Sequence, residues 1–353
     1  MALDQQNLIN AEFAKRSKKY FCPICHELVI LKHGSKMIAH FAHHSASDCV
    51  GSEGETQLHL RGKQQLFHDL IRDYPKIKLE VYLIAVKQRP DLLTAKLAFE
   101  YQCSPITNRR LKERVTGYQS QQINSIWILG MDYFKKSLQA DAVLRFLRYQ
   151  RYVGFYLLFL DASQHCYYLK YRITQVGNQI VCKLKKFATY QALIKFMKKS
   201  QPFTYPKLDL IKLTQTIETE LRWQTGNVLK LQQLCYENGH LLSGCPLITH
   251  YPILNTPIMK RNWLAWKIKI ILVLEKQQSC KLSDLLELVE YEEYLFIKSK
   301  NPALSFLASL KKAGYVNINN QNVRLIKNFV WYRDTYDKID AIKKMKKRSA
   351  YDS

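Results

Sequence analysis

The chain has no apolar run long enough to span a bilayer, and it has no amphipathic basic helix with a clean apolar face. Its N-terminal segment, MALDQQNLINAEFAKRSKKYF, lacks the apolar core of a secretory signal peptide. These absences argue against a membrane protein and against an exported one. They predict a cytoplasmic location.

Acidic residues are scarce. The 29 Asp and Glu face 54 Lys and Arg, which gives a net charge of +25. The excess is spread along the chain, although residues 343–348 form a basic end. Such a surplus repels itself unless an anion compensates it, so a polyanion is the simplest partner. Nucleic acid is favoured over an anionic membrane surface because no membrane-binding helix is present.

Cysteine usage does not indicate a disulfide framework. The nine cysteines are odd in number and scattered over 353 residues, and a reducing compartment would leave them as thiols or metal ligands. With 47% hydrophobic residues the chain can bury more than one core, so we expect two or three domains.

The pattern of apolar residues predicts a multidomain protein with α+β and α/β parts. We expect a short, loop-like Cys/His segment in domain 1–50, an α/β core in 51–204, and a mainly helical domain with a basic tail in 205–353. The core should follow the order α-β-β-β-α-β, with elements at 56–73, 77–86, 90–94, 96–104, 107–120 and 125–130. Further strands are predicted at 153–161, 166–173 and 179–185, and a further helix at 190–198.

The strongest chemical signal is Pro90-Asp91 followed, after eight intervening residues, by Glu100-Tyr101-Gln102. Strand alternation places Glu100 and Gln102 on one face, and Asp91 begins the preceding strand of the same hairpin. Two carboxylates that converge in this way suit Mg²⁺ (or Mn²⁺) and the hydrolysis of phosphodiesters. The alternative is a solvated hairpin. An acid inside the apolar run LAFEYQC is costly without a partner, which favours a site.

The preceding helix adds Glu55, His59 and Lys63 at helical spacing along one side. By themselves these three residues indicate a row of polar side chains on the exposed surface of the helix. Beside the Asp/Glu/Gln set they predict another metal-site oxygen from Glu55 and two donors to phosphate from His59 and Lys63. On the helix after the motif, Arg109, Arg110, Arg114 and Tyr118 are predicted nucleic-acid contacts, with a solvated basic face as the alternative.

A second signal is Cys22-x2-Cys25 followed by His40-x2-His43. Paired ligands of this kind predict a structural Zn²⁺ site in a segment too short for a core of its own. The alternative is free thiols beside a His-rich loop, and other ligands are available at His26, His44 and Cys49. A weaker repeat at Cys235, His240, Cys245 and His250 fits neither spacing, so no metal is assigned there.

In the C-terminal third, two helical stretches at 282–289 and 303–313 precede Gly314-Tyr315-Val316 and the polar segment NINNQN. Helix, helix and a short β-ribbon are typical of winged-helix modules. Such modules bind DNA or other proteins, so this pattern predicts an accessory domain or, as a third hypothesis, a regulator that recognises a DNA site.

Several of these segments together resemble the CoiA-type competence proteins of transformable bacteria. They are FCPICHELVILKHGSKMIAHFAHH, EGETQLHLRGK, QRPDLL, AFEYQCSPI and ERVTGYQSQQINSIWILG, in order between about 20 and 130. The resemblance implies a restriction-endonuclease-like core of the PD-(D/E)xK nuclease superfamily. It also implies a role in recombining imported single-stranded DNA.

Carried over by position, the metal acids of the superfamily fall on Asp91 and Glu100, its helix acid on Glu55, and its lysine on Gln102. Glutamine cannot bring a positive charge to the phosphate, so Lys63 or Lys96 is expected to supply it. The leading hypothesis is therefore a metal-dependent nuclease that acts on single-stranded or branched DNA. The alternative is an inactive nuclease-like scaffold that binds single-stranded DNA and a recombinase or another protein of the competence machinery.

Overall fold

The computed structural model describes residues 2–4, 7–9, 11–22, 25–34, 37–44, 57–200, 208–224, 228–253, 263–291, 293–297 and 301–351. The chain divides into two compact units. The first unit comprises Met1–Phe146, Tyr156–Lys170 and Leu184–Ser200, and the second comprises Leu147–Phe155, Tyr171–Lys183 and Gln201–Ser353. Within the described residues, no helix is both long and apolar enough to cross a membrane. The architecture is mixed α/β, as predicted, whereas the three domain boundaries given above stay a prediction.

The N-terminal segment forms a sheet, which corrects the expectation of a loop-like finger. Its strands are β1 (Ala2–Asp4), β2 (Asn7–Ile9), β3 (Tyr20–Phe21), β4 (Leu28–Gly34) and β5 (Met37–Ala42), in the order β2-β1-β3-β4-β5. The reason lies in LVILK, where Val29 is buried while Leu28 and Ile30 are exposed, the alternation of a strand with one covered face. A small core of Ala2, Tyr20, Cys22 and Val29 lies beneath it.

The central sheet has eight strands. They are β6 (Lys78–Leu79), β7 (Leu92–Leu93), β8 (Leu97–Gln102), β9 (Asn124–Leu129), β10 (Arg148–Gln150), β11 (Gly154–Asp161), β12 (Cys166–Val176) and β13 (Gln179–Phe187). The order is β13-β12-β11-β9-β8-β7-β6, with β10 paired to β11. The pairs β6–β7 and β7–β8 are antiparallel, whereas β8–β9 and β9–β11 are parallel.

One predicted strand is much shorter than expected. Of the run 77–86, only Lys78–Leu79 joins the sheet. Leu83 forms an isolated antiparallel bridge with Gln88, and Ile84–Val86 forms a 3-10 turn. Glu80 and Lys87 have positive φ angles of 50° and 51°, a left-handed conformation that cannot continue a strand. The polypeptide therefore leaves the sheet at Glu80 and returns at β7.

Helices cover both faces of this sheet. They are α1 (Gln57–Ile71), α2 (Asn108–Ser120), the short α3 (Met131–Phe134) and α4 (Asp141–Leu144), and α5 (Tyr190–Lys198). Thr107 caps α2 by accepting a hydrogen bond from the Arg110 amide. A Cβ atom at Gly62 of α1 would lie 2.0 Å from the Tyr101 ring, so glycine is what lets α1 approach β8 closely.

The second unit is mainly helical, with α6 (Leu210–Arg222), α7 (Val228–Glu237), α8 (Ala265–Gln277), α9 (Leu282–Glu287), α10 (Pro302–Lys312) and α11 (Thr335–Tyr351). Strands β14 (Ser279–Lys281), β15 (Val316–Asn319) and β16 (Asn322–Leu325) form a small sheet in the order β14-β16-β15. The two predicted helices and the ribbon that follows them are present, around a core that includes Ile270, Phe306 and Val323. Their assignment to a winged-helix module stays a prediction.

Candidate active site

Glu80, Asp91 and Glu100 form a cluster of acidic side chains with cationic partners from two helices. Lys63 of α1 contacts Glu80 and Asp91, whereas Arg114 of α2 contacts Glu100. Leu92 pairs with Phe99, so continuing the register by one residue sets Asp91 opposite Glu100. Glu100 is 1% exposed and Asp91 is 9% exposed. Buried carboxylates require hydrogen-bonding or charged partners, and both of them have such partners.

Asp91 is held from two directions. Its Oδ2 accepts the Tyr101 amide at 2.7 Å and lies 3.4 Å from Nε2 of His59, and its Oδ1 lies 3.9 Å from Nζ of Lys63. Burial alone would raise the pKa of Asp91, but the hydrogen bond with His59 and the charges of His59, Lys63 and Arg114 outweigh it and lower the pKa to about 2. Asp91 is therefore a carboxylate at neutral pH.

Glu80 is a member of this cluster that the sequence analysis did not identify. Lys63 donates to its Oε1, Nη1 of Arg89 lies 3.8 Å from its Oε2, and its amide donates to the Asp91 carbonyl at 3.0 Å. Burial would raise the pKa of Glu80, yet Lys63 and Arg89 bring it well below its usual value. The signal was available, because Glu80 stands inside the apolar run IKLEVYL just as Glu100 stands inside LAFEYQC.

Glu100 is bound by the inner face of α2. Both of its carboxylate oxygens lie 2.7 Å from Nη2 of Arg114, and the Tyr118 hydroxyl donates to one of them. Arg114 also donates to the Arg89 carbonyl at 3.2 Å. Burial and the neighbouring Glu100 raise the pKa of Tyr118, so its hydroxyl stays protonated and acts as a donor. Glu100 is thus fixed in position by two side chains one helical turn apart.

This arrangement corrects the expected exposure of two predicted nucleic-acid contacts. Arg114 is 8% exposed and Tyr118 is completely buried, so neither presents its donors to solvent. Arg109 and Arg110 do lie on the outer side of α2, where Glu113 is 2.9 Å from Nη1 of Arg109. The prediction of phosphate contacts is retained for Arg109 and Arg110 alone.

Gln102 stands at the end of β8, where its Nε2 donates to the Ser104 carbonyl at 2.7 Å. The Tyr133 hydroxyl donates to the same carbonyl at 2.9 Å. Among the lysines considered as substitutes for the missing cation, Lys63 is 4% exposed and lies beside Asp91, whereas Lys96 is exposed at the start of β8. Glu55 lies outside the described residues.

A hard divalent cation fits the donors Asp91 and Glu100 by their chemistry, because Mg²⁺ usually takes one or two carboxylates and fills its shell with water and phosphate oxygens. Within the described part of the chain, neither acid belongs to a group of three His, Cys, Asp or Glu ligand atoms that all lie within 4.8 Å of one another. A cation here would depend on water or substrate for its remaining ligands. The magnesium site stays a prediction.

Cys22, Cys25 and His43 do form such a group, with their ligand atoms within 4.8 Å of one another and Cys25 Sγ 3.3 Å from His43 Nε2. The Cys22 amide donates to the carbonyl of Glu27, the residue before β4, at 2.8 Å. Two thiols and an imidazole suit Zn²⁺, and a structural site of this kind needs a fourth ligand.

His40 is not part of that group, contrary to the predicted ligand set. On β5 it pairs with Lys32, while the next residue, Phe41, packs 4.9 Å from the Tyr20 ring. Because side chains alternate along a strand, His40 points away from Phe41, and His43 comes after the strand has ended. The alternative ligands His26 and His44 are exposed and outside the group, and Cys49 lies outside the described residues.

Two models of known protein families match the chain. The model described as "Competence protein CoiA, nuclease-like domain" matches residues 55–202, and "Competence protein CoiA, N-terminal domain" matches residues 3–52. Together they cover more than half of the chain, which therefore belongs to the CoiA family of competence proteins.

A curated relative, Competence protein CoiA of Bacillus subtilis (strain 168), is 32% identical over 127 residues. The match covers 35% of this chain and 34% of the relative, so the chain spans about a third of the curated protein that it matches. No solved structure matches the chain significantly.

Proposed function

We propose that this protein processes imported or recombining DNA during transformation and that its core is a metal-dependent phosphodiesterase of the restriction-endonuclease-like class. The observation that carries the proposal is the pair of buried acids formed by Asp91, directly before β7, and Glu100 on β8, with Lys63 beside Asp91 and Arg114 beside Glu100. A structural protein gains little from burying several charges in one place, because the desolvation cost of each is high. Perturbed titratable groups of this kind are typical of functional sites.

In this proposal Asp91 and Glu100 would hold Mg²⁺ (or Mn²⁺), and Arg114 and Tyr118 orient Glu100. When bound, the metal would activate a water and neutralise the charge that grows on the phosphate. Lys63 supplies the positive charge that Gln102 cannot. Glu80 accepts a hydrogen bond from the Lys63 ammonium group and holds it next to Asp91. His59, on the other side of Asp91, is a second nitrogen donor for a phosphate bound there.

In this proposal the N-terminal sheet depends on a metal ion for part of its stability. Its core is limited to a few side chains around Tyr20 and Val29. A Zn²⁺ ion on Cys22, Cys25 and His43 would join the cysteines, which precede β4, to His43, which follows β5. It would thereby stabilise the sheet, because metal binding contributes directly to folding in small segments. The helices α9 and α10 and the ribbon β15–β16 are proposed as a winged-helix module that binds DNA or another protein.

A second candidate function is a nuclease-like scaffold that binds single-stranded DNA and a recombinase without cutting. The observation that favours it is Gln102, whose amide nitrogen donates to the Ser104 carbonyl and carries no charge. Binding would then depend on the +25 charge of the chain alone.

Incubation of the purified chain with labelled single-stranded, duplex and branched DNA distinguishes the two functions. With Mg²⁺ or Mn²⁺ we expect cleavage that EDTA and Asp91→Ala abolish while binding persists. The loss of one carboxylate lessens repulsion, so Asp91→Ala should bind DNA at least as well as the wild type. Binding without cleavage under every metal condition would establish the scaffold instead.

A further inference from the structure

One edge of the central sheet carries a row of aromatic and lysine side chains. Strands β8, β9 and β11 are parallel, so their C-terminal ends lie along the same edge. Strand β12 follows β11 after four residues and lies next to it, a connection that only an antiparallel pair allows, and β13 lies next to β12. The start of β12 and the end of β13 therefore lie on this same edge.

The side chains along this edge form two groups of contacts, which are joined by the neighbouring residues Tyr133 and Phe134 of α3. Nζ of Lys136 lies 4.8 Å from the centre of the Tyr133 ring. The Tyr133 hydroxyl donates to the Ser104 carbonyl, which also accepts a hydrogen bond from Gln102. The ring of Phe134 lies 5.1 Å from that of Tyr168, and Nζ of Lys186 lies 5.7 Å from the Tyr168 ring. The row thus leads from Gln102 across the sheet to its outer strand.

Lys170 links the middle of the row. Its Nζ donates to the Phe134 carbonyl at 2.8 Å and lies 4.3 Å from the centre of the Phe134 ring. We call the set Phe134, Lys136, Tyr168, Lys170 and Lys186 the aromatic–lysine edge. None of its members belongs to the buried cluster around Asp91.

This composition suits a single strand of nucleic acid. Aromatic rings offer a stacking surface to unpaired bases, whereas the bases of a duplex are already stacked inside, and lysines follow the phosphates. From β8 to β13 the edge crosses four inter-strand steps of about 4.8 Å each, roughly 20 Å in all, which is enough for several nucleotides. Two acids, Asp132 and Asp161, also lie here, but Asp161 is engaged by Ser163 and the Gln164 amide in the turn before β12.

Protection of the outermost strand would account for part of this pattern, because lysines on an outer strand such as β13 prevent that strand from pairing with other chains. It does not account for Phe134 and Tyr168, which stand half-buried beside those lysines. An aromatic pair flanked by cations is the arrangement that single-strand binding needs.

We propose that a single-stranded DNA segment lies along the aromatic–lysine edge, with bases stacked on Tyr168 and phosphates bound by Lys136, Lys170 and Lys186, and with its path leading towards Gln102. This inference rests on the proposed function, since it assigns the surface over which the substrate would reach the Asp91 cluster.

Binding of a fluorescein-labelled oligodeoxythymidine to the full chain, measured by anisotropy in EDTA at several salt concentrations, tests the proposal. We expect Tyr168→Ala to bind roughly 5- to 150-fold more weakly, the loss of one stacked base, and Tyr168→Phe to restore binding because it keeps the ring. Lys186→Gln should lower the slope of log K against log salt by about 0.7. The matched control is Lys195→Gln, an exposed lysine on α5.

The control lies on the other face of the sheet, because Tyr190 of α5 packs 5.8 Å from the Tyr167 ring and Tyr167 and Tyr168 alternate along β12. Lys195→Gln should leave affinity and slope nearly unchanged. The inference is overturned if the wild type binds the oligonucleotide and folded Tyr168→Ala binds equally well, or if this variant weakens duplex and single-strand binding by the same factor. A wild-type chain that binds no DNA would instead overturn the proposed function itself.

Discussion

The pair formed by Arg114 and Glu100 gives a quantitative prediction. Replacing Arg114 with leucine leaves the Glu100 carboxylate, which is 1% exposed, without the guanidinium that lies 2.7 Å from both of its oxygens. Removing one member of a buried ion pair costs about 3–5 kcal/mol because the other charge is left uncompensated. We therefore expect Arg114→Leu to lower the free energy of unfolding by about that amount.

Urea unfolding of the full chain, followed by circular dichroism and by hydrogen exchange of the β8 amides, measures the change. The matched control is Arg109→Leu on the same helix, because Arg109 also pairs with a glutamate at 2.9 Å but has a side chain that is 86% exposed. Exposed pairs of this kind contribute about 0–1 kcal/mol, so the control should be close to the wild type.

A double-mutant cycle separates the pair from general damage to the core. Glu100→Leu alone leaves Arg114 buried without its counter-ion, and the double variant removes both charges, so it should cost less than the sum of the single variants by about 0.5–3 kcal/mol. Additive costs, or a cost for Arg114→Leu no larger than that of Arg109→Leu, would refute the argument that Glu100 is held by a buried ion pair.

Three further outcomes follow from the structure. Zinc analysis of the purified protein should show loss of the metal in Cys25→Ser and His43→Ala but retention in His40→Ala, and the reverse for the two histidines would contradict a site formed by Cys22, Cys25 and His43. Because the folded-state pKa of Asp91 is about 2, below the unfolded value of about 3.9, its stabilisation is complete above about pH 4 and is lost as the pH falls through 2. Asp91→Asn should thus be about 2–3 kcal/mol less stable than the wild type at neutral pH, and in urea titrations this difference should shrink, not grow, towards pH 2. Gly62→Ala should lower the free energy of unfolding by about 1–3 kcal/mol, since its Cβ would lie 2.0 Å from the Tyr101 ring. The control Gly34→Ala, with nothing within 4 Å of its Cβ, should leave stability unchanged, and equal melting temperatures for the two variants would contradict this.

The spacing of apolar residues predicted correctly those helices and strands in which this spacing stays regular from end to end. Helix α2 and strands β8 and β9 lie within about two residues of their predicted bounds, because each combines a regular apolar pattern with a clear start such as the Thr107 cap. The prediction of one strand over 77–86 was wrong for a reason that the apolar pattern does not show. Its apolar residues are strand-like, but the left-handed backbone at Glu80 and Lys87 is set by the packing of the turn.

The burial of Arg114 could have been inferred from the sequence. Leu111, Arg114, Val115 and Tyr118 follow the spacing i, i+3, i+4 and i+7 of a helix face that packs inward, and all four are buried. An arginine within such a stripe needs a buried acid, and Glu100 in an apolar strand is an acid of this kind. Arg109 and Arg110 lie outside this stripe, so charge alone does not place them on the same side of the helix as Arg114.

Which residues meet in the cluster could not be predicted in full, because pairing across the chain decides it. Lys63 and Glu80 are 17 residues apart and belong to different elements, and the sequence contains no signal that joins them. Similarly, His40 and His43 are equivalent by spacing, and only the side of β5 that packs on Tyr20 separates them.

Single-turnover cleavage of labelled single-stranded DNA in Mg²⁺ by Lys63→Gln, with and without Gln102→Lys, tests whether the cluster around Asp91 is the active site of a phosphodiesterase. If Lys63 supplies the positive charge that Gln102 lacks, Lys63→Gln should lose cleavage while it still binds DNA, and Gln102→Lys in the same chain should restore part of the rate. A folded Lys63→Gln protein that cleaves as fast as the wild type would show that Lys63 does not supply this charge.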